Sequence, residues 1–159
     1  MDRFLFADDF TPEQTWLLLH WCAQHGATEF TVDRLGLQGH AAPHVDRFEL
    51  DMAPFRLESQ RRPRMSAATR EELVRQSDLW RLSNHSIAIL QEYFPAGLFM
   101  YPTSEWEQGC LEGPTFYRQG QIVLGITTHE REGILTLQAA EHTEIARLGI
   151  STRERPQWL

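Results

Sequence analysis

His40 and His44, with Asp46 just beyond, carry side chains that ligate divalent metals. A histidine pair at this spacing converges on one ion only from a helix, and Gly39 and Pro43 argue for a loop. A metal there needs a further ligand from elsewhere in the chain, and two solvated loop histidines are the plainer reading. His129 stands beside Glu130, and a histidine tuned by a carboxylate is the usual general base near neutral pH. Neighbours on a strand point to opposite faces, however, so the pair also reads as a polar strand end. Cys110 can act as a nucleophile only beside a base, and Glu107 and Glu112 nearby would raise its pKa and blunt it. Cys22 lies in an apolar run and reads as core.

Two further groups suit recognition better than catalysis. Arg61, Arg62 and Arg64 flank Pro63, and guanidinium groups at a stiffened turn can grip carboxylates or phosphates in bidentate fashion. The bland alternative pairs them with Glu58, Glu71 and Glu72. Trp106 sits between Glu105 and Glu107, where few local groups can cover it. Tryptophan is enriched at protein interfaces, so Trp106 joins the three arginines as a partner-binding candidate.

Composition excludes several chemistries. All 15 basic residues are arginine. Without lysine there is no Schiff base, no pyridoxal phosphate anchor and no phosphate-loop lysine. Preference for arginine codons in a GC-rich genome explains this more simply than selection against lysine. No H-E-x-x-H, C-x-x-C, E-x-x-H or G-x-S-x-G occurs. Net charge is −7, unevenly spread: residues 56–81 hold seven arginines against four acids, and the remainder holds eight against eighteen. An acidic body with one basic segment disfavours general nucleic-acid binding and suits a charged protein partner. No run reaches the length of a membrane span, and the acidic start (Asp2, Asp8, Asp9) is unlike a signal peptide. Two distant cysteines fit a reduced compartment, so a cytoplasmic, bacterial-type protein is expected.

The elements that must position these groups follow from pattern and turn chemistry. Thr11-Pro12-Glu13-Gln14 is a capping box with proline at the first helical position, opening a helix that ends at Gly26. Residues 28–34 alternate as a half-exposed strand, 36–45 read as a loop, and Phe48, Leu50 and Met52 alternate as a second strand. Residues 69–72 open a predicted helix through Leu73, Ser77 and Trp80, and Asn84 caps another that stops at Pro95. Residues 98–101 read as a short buried strand and 102–114 as a long loop. Gln119-Gly120 then makes a tight hairpin turn, and residues 115–137 form a three-stranded meander. Gly125 in its middle strand suggests a bulge or a close backbone approach. A last helix from Ala139 is capped by Gly149.

The expected fold is α+β: a mainly antiparallel sheet with the C-terminal three-stranded meander at its centre and helices packed largely on one face. Residues 1–150 read as one domain and 151–159 as a polar tail. The function these features favour is a non-catalytic protein-binding module of inhibitor, immunity or accessory-subunit type, compatible with homo-oligomers. The alternative is a small histidine-dependent hydrolase drawing on His40, His44, Asp46 and His129, with or without a divalent metal; no other cofactor is expected. Anion or nucleic-acid contact through the arginine turn comes third.

Overall fold

The computed structural model describes residues 2–9, 11–35, 43–65, 72–99 and 110–154. In chain order these form β1 (Asp2–Phe6), α1 (Pro12–Gln24), β2 (Ala27–Leu35), α2 (Pro43–Met52), β3 (Gln60–Met65), β4 (Glu72–Ser77), β5 (Trp80–Arg81) and α3 (Asn84–Tyr93). Then come β6 (Cys110–Arg118), β7 (Gln121–Thr127), β8 (Glu132–Thr136), α4 (Ala139–Arg147) and β9 (Arg153–Glu154). Among the described residues no helix is long and apolar enough to cross a membrane.

Seven strands form one antiparallel sheet in the order β5-β2-β6-β7-β8-β1-β9, and β3 pairs with β4 in a separate two-stranded ribbon. The fold is therefore α+β, with the meander β6-β7-β8 at the centre of the sheet as expected. Its first turn is set by Gln119 (φ 52°) and Gly120 (φ 75°), two successive left-handed residues whose twist matches that of the flanking strands. The second link is a short 3-10 turn, Thr128–Glu130, closed by Arg131 at φ 57°; Gly133 lies within β8.

The helices bury one face of the sheet. Thr11 caps α1 through a reciprocal capping box with Gln14, and α1 contributes Leu18, Leu19 and Cys22 to the main core. Phe30 of β2 stacks on Phe116 of β6 at 5.5 Å between ring centroids, and Phe48 meets Trp80 and Tyr93 edge-on. Removing a side chain like Phe48 from water contributes about 2–3 kcal/mol. The opposite face holds a smaller cluster, Leu79, Tyr117 and Ile122, covered by Leu57 and Met65.

Several segments differ from the sequence reading. Residues 43–52 form helix α2, not loop and strand: Val45, Phe48 and Met52 are buried while Leu50 is 75% exposed, a three-then-four spacing that fits one helical stripe. The stretch Gln60–Arg64 is strand β3, not a turn, paired residue by residue with β4. Residues 72–77 are strand β4, not helix, and Leu73 and Val74 stand in solvent. The N-terminal strand β1 lies between β8 and β9. Leu98 and Phe99 are buried as expected but in a turn, and β6 begins at Cys110, inside the stretch read as loop. Arg153 and Glu154, in the stretch read as a tail, pair with β1.

Candidate functional site

Alternation along β2 turns Phe30 and Val32 into the main core and Glu29 and Asp33 toward the other face. The β3-β4 ribbon lies over that second face and is tied to it by charge. Arg62 Nε donates to Glu29 Oε1 at 2.6 Å. Arg64, only 6% exposed, donates from Nη2 to Asp33 Oδ2 at 2.7 Å and to the Gly113 carbonyl at 3.3 Å. The Tyr117 hydroxyl donates to the Pro63 carbonyl at 2.9 Å. Burial raises the Tyr117 phenol pKa well above its ordinary value, so the hydroxyl keeps its proton. Proline fits β3 because, among the described residues, that strand pairs on one side only.

The arginine trio therefore divides. Arg62 and Arg64 are fixed to β2 carboxylates, while Arg61 remains exposed and, among the described residues, reaches the Val74 carbonyl at 3.5 Å. Their partners are Glu29 and Asp33, more than thirty residues away, because strand packing and not sequence proximity chooses them. β4 forms the outer side of the ribbon. Among the described residues it pairs with β3 alone, and Leu73, Val74, Arg75 and Gln76 are all exposed. Arg75 donates to the same Asp33 Oδ2 at 2.9 Å with its side chain 55% exposed. Sequence reasoning missed Leu73, Val74 and Arg75; the available signal was an adjacent apolar pair inside a polar segment.

A second cluster surrounds the 3-10 turn after β7. Thr128, buried, donates to the Leu98 carbonyl at 3.1 Å and accepts from the Gly113 amide at 3.2 Å. These bonds hold the turn against β6. His129 then places both its backbone N–H, at 3.2 Å, and its ring Nδ1, at 2.9 Å, on Glu112 Oε1. The carboxylate facing the ring is thus Glu112, not the sequence neighbour Glu130, which stands 3.9 Å from Nε2. Glu112 is 5% exposed, whereas half of the imidazole remains open to solvent.

His44 and Asp46 join neither cluster. His44 lies on α2 with its ring 5.0 Å from that of Tyr93, and Asp46 accepts from Arg34 at 2.8 Å. His40 and Trp106 lie outside the described residues, as does the side chain of Cys110. Cys22 is fully buried, and desolvation pushes its thiol pKa up to about 12, so it is core and unreactive as a nucleophile. No group of three histidine, cysteine, aspartate or glutamate side chains with metal-binding geometry occurs among the described residues.

Comparison with known proteins finds no matching family model, no matching curated protein and no matching solved structure.

Proposed function

We propose that the protein is a protein-binding module that takes an extended segment of its partner along the edge of β4 that is unpaired among the described residues. The observation that carries this reading is the contrast between its two kinds of sheet edge. The seven-stranded sheet ends in β5 and β9, strands of two residues each, which offer little backbone for another chain to pair with. β4 is six residues long and presents Leu73 and Val74 at 54% and 56% exposure. Natural proteins shorten, cover or charge their edge strands because an unpaired strand recruits other chains. An apolar edge retained beside two blunted ones favours pairing by strand addition, in which backbone hydrogen bonds give affinity and alternate side chains give specificity.

The charge nearby selects the partner's chemistry. Arg61 and Arg75 are exposed on the ribbon and Arg81 on the neighbouring β5, in a chain whose net charge is −7. An extended segment alternating apolar and acidic side chains fits this edge, and a basic one is repelled by it. The test is an amide NMR titration with two short synthetic peptides, one alternating valine and glutamate and the other valine and arginine. The valine–glutamate peptide is expected to perturb the β4 amides, less so as salt rises. A Leu73→Glu, Val74→Glu double variant is expected to weaken that binding at least about ten-fold with the fold intact. If neither peptide perturbs β4, or the valine–arginine peptide binds better, this reading is wrong.

A further inference from the structure

We infer that His129 and Glu112 form an acid–base pair able to catalyse hydrolysis of small uncharged esters, a site separate from the β4 edge. The inference starts from one oxygen. Glu112 Oε1 accepts the backbone N–H of His129 at 3.2 Å and faces ring Nδ1 at 2.9 Å. An oxygen already serving as acceptor for an amide proton is matched by a donor at Nδ1. The neutral ring is therefore fixed as the tautomer with its proton on Nδ1 and its lone pair on Nε2. Nε2 is the nitrogen on the side away from Glu112, and half the ring is accessible. A buried carboxylate that holds Nδ1 while Nε2 faces the other way, 3.9 Å from Glu130 Oε1, is the pairing of carboxylate and imidazole that general-base histidines share across unrelated folds.

The surroundings keep this geometry rigid. The turn bearing His129 is tied by Thr128 to Leu98 and Gly113. It is closed by the Arg131 N–H on the Thr128 carbonyl at 3.0 Å, and Ala7 donates to the Arg131 carbonyl at 2.9 Å. Arg131 itself pairs with Asp8 at 2.8 Å. The hydroxyl of Thr128 is occupied by these contacts, so the nucleophile in this reading is water.

In the proposed step Nε2 takes a proton from water as the water oxygen bonds to the ester carbonyl carbon. The Nδ1–H contact with Glu112 supports the imidazolium so formed. Collapse of the tetrahedral adduct breaks the bond to the leaving oxygen, which receives the proton from Nε2. The products are a carboxylic acid and an alcohol, with the ring returned to its starting tautomer. Glu112 and Glu130, on either side of the ring, disfavour anionic substrates such as phosphate esters. His129 is the catalytic residue and Glu112 a positioning residue.

The test compares p-nitrophenyl acetate with p-nitrophenyl phosphate at neutral pH. Wild-type protein is expected to hydrolyse the acetate at least about a hundred-fold faster than His129→Asn, the low end for general-base catalysis, and to leave the phosphate untouched. The other six histidines are common to both proteins and cancel. Because His129 is half exposed, its asparagine variant is expected to fold, as circular dichroism checks. For Glu112 the independent readout is the ¹⁵N shift of the His129 ring nitrogens. Wild type is expected to show Nδ1 protonated, and Glu112→Ala a mixture of both tautomers. Equal acetate rates for wild type and His129→Asn, or a wild-type ring protonated on Nε2 in its neutral form, would overturn the inference.

Discussion

Arg64 Nη2 stands 2.7 Å from Asp33 Oδ2, and Arg75 Nη2 reaches the same oxygen at 2.9 Å. One carboxylate of β2 thus holds both strands of the ribbon, but the two arginines differ in exposure. The Arg64 side chain is 7% exposed and that of Arg75 is 55% exposed. The first anchors the ribbon to the sheet. The second is more than half open to solvent, which screens its pairing.

This difference predicts unequal costs for the arginines of the ribbon. Arg64→Ala removes a buried side chain and its bonds to Asp33 and the Gly113 carbonyl, which retain Arg75 and the Thr115 hydroxyl, at a cost of about 2 kcal/mol. Arg61→Ala changes an exposed side chain and is expected to stay within about 0.5 kcal/mol. Arg75→Ala falls close to Arg61→Ala. Urea unfolding of the three variants checks this; equal small costs would mean that the arginines are only a solvated patch.

Local chemistry was the legible part of the fold. Thr11 with Gln14, Gln119 with Gly120, and Gly149 are each decided by one turn of backbone, and the structure has the capping box and both positive-φ glycines. The α2 segment misled because Phe48 and Met52 fit period two and helical spacing equally well; Leu50 discriminates, and only burial reveals its side. Across β4 and β5, Leu73, Ser77 and Trp80 fit a helical stripe, yet pairing of β4 with β3 and of β5 with β2 overrides that pattern, as tertiary context does for short segments. Neither cluster was legible. Glu112 meets His129 across 17 residues and Arg64 meets Asp33 across 31, and such distances depend on strand order and register.

The ion pair between β6 and α4 predicts an acid dependence of stability. Arg118 donates to both carboxylate oxygens of Glu141, at 2.5 and 3.2 Å. That hydrogen bonding, chiefly, holds the Glu141 carboxyl below its ordinary value against the opposing effect of burial. The contribution is therefore present above the unfolded carboxyl pKa and lost as pH falls through the lowered folded value. Glu141→Gln is expected to cost about 2 kcal/mol near neutral pH, with the gap from wild type narrowing at a pH below the ordinary carboxyl value. Denaturant titrations at both pH values measure the gap, and a constant one would contradict the role given to the charge.

Burial of Cys22 sets the opposite trend at the alkaline end. Its thiol is raised from 9.0 to about 12, first by desolvation, so above the unfolded value the folded chain keeps a proton that the unfolded chain releases. Stability should accordingly fall as pH rises from about 9 toward about 12, and Cys22→Ala should flatten that part of the curve. Iodoacetamide near pH 8 is expected to leave Cys22 unmodified until denaturant is added. Mass mapping of its peptide checks the labelling, and modification under native conditions would show that the helix face of the sheet opens locally.

Gly133 and Gly120 allow a comparison between crowding and backbone conformation. A Cβ at Gly133 would lie 2.9 Å from Phe99 Cε1 and 3.1 Å from the Gly125 carbonyl. At Gly125, where a bulge or a close backbone approach is expected, a Cβ would instead meet the side chains of Ile134, Ile122 and Met65. The Phe99 ring is itself buried and has little room to move, so Gly133→Ala forces β8 or the ring to shift at about 2 kcal/mol. In a chain of this size that corresponds to a fall in Tm of roughly 4–8 °C. Gly120 has φ +75° with nothing within 4 Å of an added Cβ, so Gly120→Ala bears only the left-handed penalty, about 1 kcal/mol. Gly120→Asn should recover most of it, because asparagine tolerates that conformation. Calorimetry on the three variants would rank Gly133→Ala lowest. A larger loss at Gly120 would mean that turn conformation, not packing between Phe99 and the meander, limits the stability of the central strands.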